Sequence, residues 1–524
     1  MMLTVTLEHR EHITGQPSPS GPPVSGGLLP PGVALRVERL EWRALGGPWT
    51  ARLAVSAVPP ALDRLWRLTD LLRCGLTVHD GRGPAWWGYI SAVEIRAGAG
   101  GVRVSLDELA TSAAARYRAF APENGGGGTA GGPTRITPFV TDEVSARRYG
   151  VKQRVVRLGQ AAESEAAAAA RALLAQASQP RPRLSTRTVG EPGPRAVAPG
   201  PRAVIEARGW WETLDWKLAV EPRGRVANPR AGAEQKFGDP GQPMAAQRFS
   251  LNGGAWTAGE AWARLRRVGP PADAVRLELR ADAGSAPGAL TGSAEVPGAL
   301  VPDEWGWVRF AFPQPLPLAA GTHWLVLSRS GALSSGQYYG VSADQGCALE
   351  GGEAWVYSGG AWAARVPPAD LGFSIQGVEE TTEQARRLLL PEQCGQFLRG
   401  SRIEAPSGVL AALYRPLDDA PRGRAALEAL LARGTAAGER LLARVEPDRT
   451  ARIYAQPGAA AAGLVIGADG QICKYGRPLA LSEPPAGQWA RLAALAPAGE
   501  THGMDKAVFI ETCAWEEGRW RVGG

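Results

Sequence analysis

Glycine and proline punctuate this chain: 67 glycines and 43 prolines fill about a fifth of its 524 positions. They fall between short apolar runs, so they read as turn residues that keep the intervening elements short. Where the runs are legible, they alternate. Leu35–Trp42, Leu76–Asp80, Trp86–Ile95 and Val102–Asp107 put apolar side chains at every second position, the mark of half-buried strands. The pattern predicts a mainly β chain with some α+β character. Hydrophobic residues make up 44% of the chain, enough for several cores, which excludes disorder throughout. No window approaches roughly 18 apolar residues free of charge, so no membrane span is expected. At this length, roughly three or four domains are expected.

Breaks in composition set the boundaries. Residues 1–120 read as a meander of strands with one short helix, in which Leu62, Leu65, Trp66, Leu68 and Leu72 share a face; this describes a small N-terminal β-barrel or sandwich. The opening Met1–Glu11 holds no apolar signal region. Residues 121–133 are glycine-rich, with neither GxGxxG nor a Walker lysine, and read as a linker. Residues 134–230 form an α+β segment with a strand over Val151–Leu158 and a helix over Glu163–Ala177, rich in Ala, Leu, Glu and Arg. Pro180–Pro201 reads as loop or extended edge, and Val204–Val220 as a strand interrupted by Gly209–Trp216. Residues 232–377 carry seven of the 18 tryptophans. Their short strands recur at turn-like intervals, as in a jelly-roll-like β-sandwich. Residues 378–524 read as a mixed α+β and β-barrel part, with a helix from Thr381, strands at Gln396–Ile403 and Thr450–Tyr454, a turn at Asp469-Gly470 and a closing strand over Ala507–Trp515.

The residues that carry most chemistry are scarce or scattered. Cys74, Cys347, Cys394, Cys473 and Cys513 lie far apart with no CxxC, which argues against a zinc site or disulfide scaffold and fits synthesis in a reducing cytosol. His9, His12, His79, His323 and His502 are isolated, and GxSxG and HExxH are absent. Asp303-Glu304, Glu350 with Glu353, and Asp239 could be imagined as glycosidase carboxylates, yet each sits in a turn-like stretch where a solvated acid is the default. No catalytic, cofactor-binding or metal-binding residue is expected. The net charge of +7 comes from 53 Arg and 5 Lys interleaved with acids, not from a basic stripe that would track nucleic acid.

Aromatic residues are the more informative set. A ring held on a rigid sheet offers a large apolar surface to a sugar face at little entropic cost. The strand tryptophans Trp305, Trp307 and Trp324 read as core, with Trp305 and Trp307 on one face by period two. Trp355, Tyr357 and Trp362, in a glycine-rich stretch, and Tyr338 and Tyr339, in a similar one, are the candidate glycan-binding residues.

Three stretches resemble the tail-hub (baseplate hub or tail-tip) proteins of long-tailed bacteriophages and prophages. They are Trp87–Ile95 with Gly101–Leu109; Asp142–Lys152 with Gly209–Leu214; and Ser401–Tyr414 with Thr450–Tyr454, Pro485–Ala490 and Phe509–Glu511. Residues 232–377 interrupt that pattern. Within them Gln247–Phe249, Leu265–Pro270, Val275–Arg280, Trp307–Phe310, Leu318–Trp324 and Asp370–Phe373 resemble carbohydrate-binding jelly rolls. The resemblance implies hub-type β-barrel domains with an inserted sandwich, in a homotrimeric ring where the tail tube ends. It implies a place at the virion tail tip after synthesis in the host cytoplasm. The partners it implies are the distal tail or tube protein, the tape measure protein and tip or fibre proteins, with DNA met only as it passes through the lumen. An outward sandwich would contact host cell-surface polysaccharide. The alternative is a cell-surface carbohydrate-binding protein or a wall-degrading glycoside hydrolase.

Overall fold

The computed structural model describes residues 3–9, 29, 31–57, 65–97, 100–118, 134–186, 202–219, 224–230, 232–251, 254–269, 271, 273–347, 349–413, 421–467, 471–475, 477–492 and 507–523. The glycine-rich 121–133 run, the Asp469-Gly470 turn, His12 and His502 lie outside the described residues. The chain is mainly β and divides into two compact units: Met1–Ala219 with Thr381–Val409 and Leu417–Gly524, and Val220–Glu380 with Leu410–Pro416.

A ten-stranded antiparallel sheet organises the first unit. Its order is Thr4–Glu8, Gly75–His79, Pro84–Ala97, Arg202–Arg208, Gly47–Ala57, Val33–Arg43, Thr512–Glu516 and Arg519–Gly523, with Gly100–Ser105 and Pro182–Thr186 branching from Pro84–Ala97. The path has two ends, so among the described residues this is an open sheet and not the closed barrel expected for residues 1–120. The reason lies in which strands take the seats. Arg202–Arg208 wedges between Pro84–Ala97 and Gly47–Ala57, and the C-terminal hairpin extends the far edge from Val33–Arg43. Pro182–Thr186, expected as loop or extended edge, pairs with Gly100–Ser105.

Helical elements are few. Glu163–Ala177 forms the expected helix and lays Ala166 and Ala170 on Ala115 and Tyr117, small side chains that let helix and strand approach closely. The Gly209–Trp216 stretch is not strand: Trp210–Trp216 is a 3-10 helix. Backbone crowding enforces the break, because a Cβ on Gly209 would stand 1.8 Å from the Pro48 carbonyl oxygen. The resulting turn drives Trp210, Trp211 and Trp216 into the core. In the expected Leu62–Leu72 helix, Leu65 and Trp66 are α-helical and Arg67–Leu71 is a 3-10 turn; the segment buries Leu65, Leu68 and Leu71 and leaves Trp66 out. The expected closing strand is two, Ala507–Phe509 and Thr512–Glu516, followed by Arg519–Gly523.

The second unit is a two-sheet sandwich. The larger sheet joins Arg225–Asn228, Phe373–Glu380, Trp256–Val268, Tyr338–Asp344 and Ala233–Phe237 in that order, with Gly306–Leu318, Asp370–Leu371 and Leu410–Ala412 attached. The smaller runs Pro287–Pro297, Ala274–Asp282, Gly321–Arg329, Met244–Leu251, Glu353–Ser358 and Ala361–Ala364. Phe237, Phe249, Leu277, Leu325, Phe310 and Phe373 fill the space between them. Two polar devices lie within this apolar layer. Gln247 donates to Asp370 Oδ1 at 2.9 Å and accepts from the Leu371 N–H, while Asn228 donates to the Asp370 and Leu371 carbonyls. Arg329 and Asp273 pair through two contacts of 2.8 and 2.7 Å and are nearly buried. Both arrangements are saturated, as buried polar groups must be to avoid a desolvation cost.

Candidate functional site

Strand parity builds the site. On Met244–Leu251, Ala245, Phe249 and Leu251 point into the sandwich core, so Met244, Ala246 and Arg248 take the opposite face of the smaller sheet. Register carries that face sideways. Ala246 pairs with Val326 and Trp355, Arg248 with Trp324 and Glu353, Met244 with Tyr357, and Tyr357 with Trp362. A second, smaller apolar cluster results, separate from the core: Ala246, Trp324 and Val326 at its base, with Met244, Trp355 and Trp362 packed on them.

The rings meet edge to face. Trp324 and Trp355 have centroids 5.3 Å apart at 75°, and Tyr357 and Trp362 are 5.2 Å apart at 65°. Trp324 is fully buried at the base, while Trp355, Tyr357 and Trp362 remain half-buried. The Trp324 indole donates to Asp282 Oδ1 at 2.7 Å, and that bond holds the Asp282 carboxyl below the usual carboxylate range. The Trp355 indole N–H is shut off from water and has no acceptor among the described residues. A buried donor left open costs about 1–3 kcal/mol, so this one asks for an explanation.

Charges flank the rings in pairs. Arg248 stands 3.5 Å from Glu353, Arg280 is 2.7 Å from Glu278, and Arg276 pairs with Glu295. Each Arg has its own acid, so the face presents little net charge.

Of the five candidate aromatic residues, the structure brings together three: Trp355, Tyr357 and Trp362. Tyr338 lies on the larger sheet with the Lys236 ammonium 4.7 Å from its ring. Tyr339 is fully buried, stacks on Phe237 at 5.7 Å and donates to the Asp273 carbonyl; as a core residue it has no surface to offer a ligand. The core reading of Trp305 and Trp307 is also corrected. Trp305 precedes the strand and lies under Arg266, while Trp307 is 42% exposed because Val308, Phe310 and Phe312 take the inner parity. Trp324 is buried as expected, but on the outer cluster and not between the sheets. Alternation gives no sign of this, since Trp324-Leu-Val-Leu327 is apolar on both faces. Met244 gives no sequence signal either.

Three of the five carboxylates considered as catalytic have a local partner. Asp303 pairs with Arg267 at 2.6 Å, Glu353 faces Arg248, and Asp239 accepts the Gly241 N–H at 2.8 Å. Among the described residues no three His, Cys, Asp or Glu side chains gather as a metal site, and no helix is long and apolar enough to cross a membrane. No disulfide joins any of the five cysteines.

No protein-family model matches the chain, and no curated protein matches it. Solved structures similar to parts of it include a glycoside hydrolase family 43 arabinoxylan arabinofuranohydrolase from Bacillus subtilis (13% identity, 56% of this chain and 63% of that one, TM-score 0.13). Others are the mosquito-larvicidal Cry4Aa toxin from Bacillus thuringiensis (8% identity, 65% and 57%, TM-score 0.15) and the VP2 subviral particle of infectious bursal disease virus (10% identity, 67% and 80%, TM-score 0.15). The chain spans less than two thirds of the hydrolase and of the toxin. At these TM-scores the likenesses carry no argument.

Proposed function

We propose that this protein is a structural tail-hub or tail-tip subunit of a phage virion whose sandwich unit binds neutral host-surface glycan on the Trp324–Trp355–Tyr357–Trp362 face. The observation that carries the glycan reading is the Trp355 indole, a donor withdrawn from water beside half-open rings; a turn of this half-buried ring would bring its N–H out to a sugar hydroxyl, the acceptor it lacks among the described residues. Tyr357 and Trp362 offer apolar ring surface to the C–H face of the same sugar. Paired Arg and Glu leave no bare charge for an acidic polymer, which favours a neutral one.

Support for the hub reading is the resemblance of Trp87–Ile95, Asp142–Lys152 and Thr450–Tyr454 to phage hub segments. On this reading the protein is a homotrimer at the distal end of the tail tube, in contact with tube, tape measure and tip or fibre proteins. It has no catalytic role there. The full chain, applied to an array of bacterial surface polysaccharides, should retain neutral glycans, and Tyr357→Ala or Trp362→Ala should lose them. Binding that both variants leave intact, or no retention of any glycan, would sink the glycan reading. Electron microscopy tests the hub reading separately: threefold rings support it, and a monomer at micromolar concentration contradicts it.

A further inference from the structure

The first unit holds a polar cavity that nothing above uses. Its volume is about 350 Å³, within the usual ligand range of roughly 300–1,000 Å³, and Tyr89, Ser91, Leu106, Asp107, Lys152, Arg208, Glu212, Asp215 and Trp216 line it. Three acids and two cations meet there, and their pairing is uneven. Arg208 bridges Asp107 at 2.9 Å and Glu212 at 2.9 Å, and Arg424 bridges Glu212 and Asp215 from behind. Every carboxylate in the wall is therefore answered by a guanidinium.

Lys152 is the exception. Its ammonium donates to the Leu106 carbonyl at 2.5 Å and the Asp107 carbonyl at 3.0 Å, and makes no ion pair among the described residues. Among the described residues its third N–H has no acceptor, and the Trp216 ring lies 5.3 Å away. The surroundings add to the positive field: Arg154 donates to the Glu108 carbonyl, and Arg422 to the Gln153 and Asp215 carbonyls with the Asp215 carboxyl also near it. One cation without an ion-pair partner, in a cavity with a tyrosine hydroxyl and an indole ring, describes a receptor for one negative charge on a small body.

We propose that this cavity binds a small organic monocarboxylate, with the carboxylate on Lys152 and the Tyr89 hydroxyl and the apolar body against Trp216 and Leu106; the Ser91 hydroxyl is already spent on the Glu206 carbonyl. A dianion such as phosphate suits the site less well, because three carboxyl groups stand in the wall and, among the described residues, one cation there lacks an ion-pair partner. The binding site is independent of the glycan face and of the hub reading.

Protonation gives the proposal a signature. Burial pushes the Lys152 ammonium down to about 8; Asp107 opposes that shift, and Arg208, Arg154 and Arg422 add to it. A bound carboxylate favours the ammonium form, so binding is strong below pH 8 and falls as the amine loses its proton above it. Burial raises the Tyr89 hydroxyl, which stays neutral throughout. Burial also raises the Asp215 carboxyl.

The test is calorimetric titration of the full chain with benzoate, acetate and inorganic phosphate at about pH 7 and about pH 9.5. Benzoate should bind once per chain, more tightly than acetate or phosphate, and lose about tenfold or more in affinity between the two pH values. Lys152→Met should lose about tenfold or more at pH 7, and Tyr89→Phe about threefold. Where Lys152→Met does not fold, the pH comparison on the unmodified chain together with Tyr89→Phe decides. Absence of saturable benzoate binding, affinity independent of pH, phosphate bound as tightly as benzoate, or full affinity in a folded Lys152→Met would each overturn the proposal.

Discussion

In the first unit the Trp42, Trp86 and Trp87 indoles donate to the Ala85, Glu41 and Val445 carbonyls, and Trp211 donates to Glu428; in the second unit the Trp355 indole N–H is dry and finds no acceptor among the described residues. The rings of the first unit also close on one another. Tyr89, Trp210, Trp216 and Phe397 have centroids within 5.4–6.2 Å in a buried cluster. A tryptophan whose ring and N–H are both used is a structural element. One whose ring sits on the outside of a finished core, with its N–H open, is available to something else. The contrast also bears on assembly. The paired aromatics Trp86-Trp87 and Trp210-Trp211 can be read from sequence as subunit-interface anchors, yet Trp86, Trp210 and Trp211 are buried within their own unit.

Substitutions should separate the two uses. Trp211→Ala removes a fully buried ring and is expected to cost about 3–5 kcal/mol of the first unit's stability by denaturant titration. Trp362→Ala, half exposed, should cost about 1 kcal/mol or less. Equal costs would erase the distinction. Asp273→Asn strands the nearly buried Arg329 guanidinium and should cost the sandwich about 3–5 kcal/mol while leaving the first unit's transition in place. A single shifted transition would contradict the division of the chain into two units.

Arg73 offers a smaller and opposite effect. Its Nε donates to the Tyr149 carbonyl and its guanidinium lies 3.6 Å from the Phe397 ring, but both terminal nitrogens are buried without partners among the described residues. Burial pushes its pKa down to about 9, well below the ordinary guanidinium value. The folded state therefore holds this proton less well than the unfolded state, a liability that is full below pH 9 and shrinks as pH rises above it. Arg73→Met should stabilise the first unit by about 1–4 kcal/mol at neutral pH, with the gain narrowing above pH 9. A loss of stability at neutral pH would show that the cation is needed where it lies.

Sequence made some of this legible. The Glu163–Ala177 helix is readable because Ala-rich propensity and acids in the first turn agree with the packing, and the sandwich strands are readable because Gly and Pro bound them. The open ten-stranded sheet is not readable, since its centre and edge come from residues 202–208 and 512–523, remote pairings that no local pattern encodes. At the candidate site, Trp355, Tyr357 and Trp362 stand out by composition. Tyr338 and Tyr339 look alike in sequence, and only the register of Tyr338–Asp344 sends one outward and the other between the sheets. The Lys152 cavity leaves no motif, because Tyr89, Ser91, Asp107, Lys152 and Asp215 meet only through the fold.

The central claim is that the buried Trp355 N–H is left unpartnered, at the expense of stability, for a ligand that it meets when the ring turns outward, and Trp355→Phe tests it most directly. The variant keeps a ring against Trp324 and deletes the unsatisfied donor. The account predicts that full-length Trp355→Phe unfolds at the same or higher denaturant concentration and binds its neutral glycan about tenfold more weakly. A variant that is less stable and binds the glycan undiminished would contradict it.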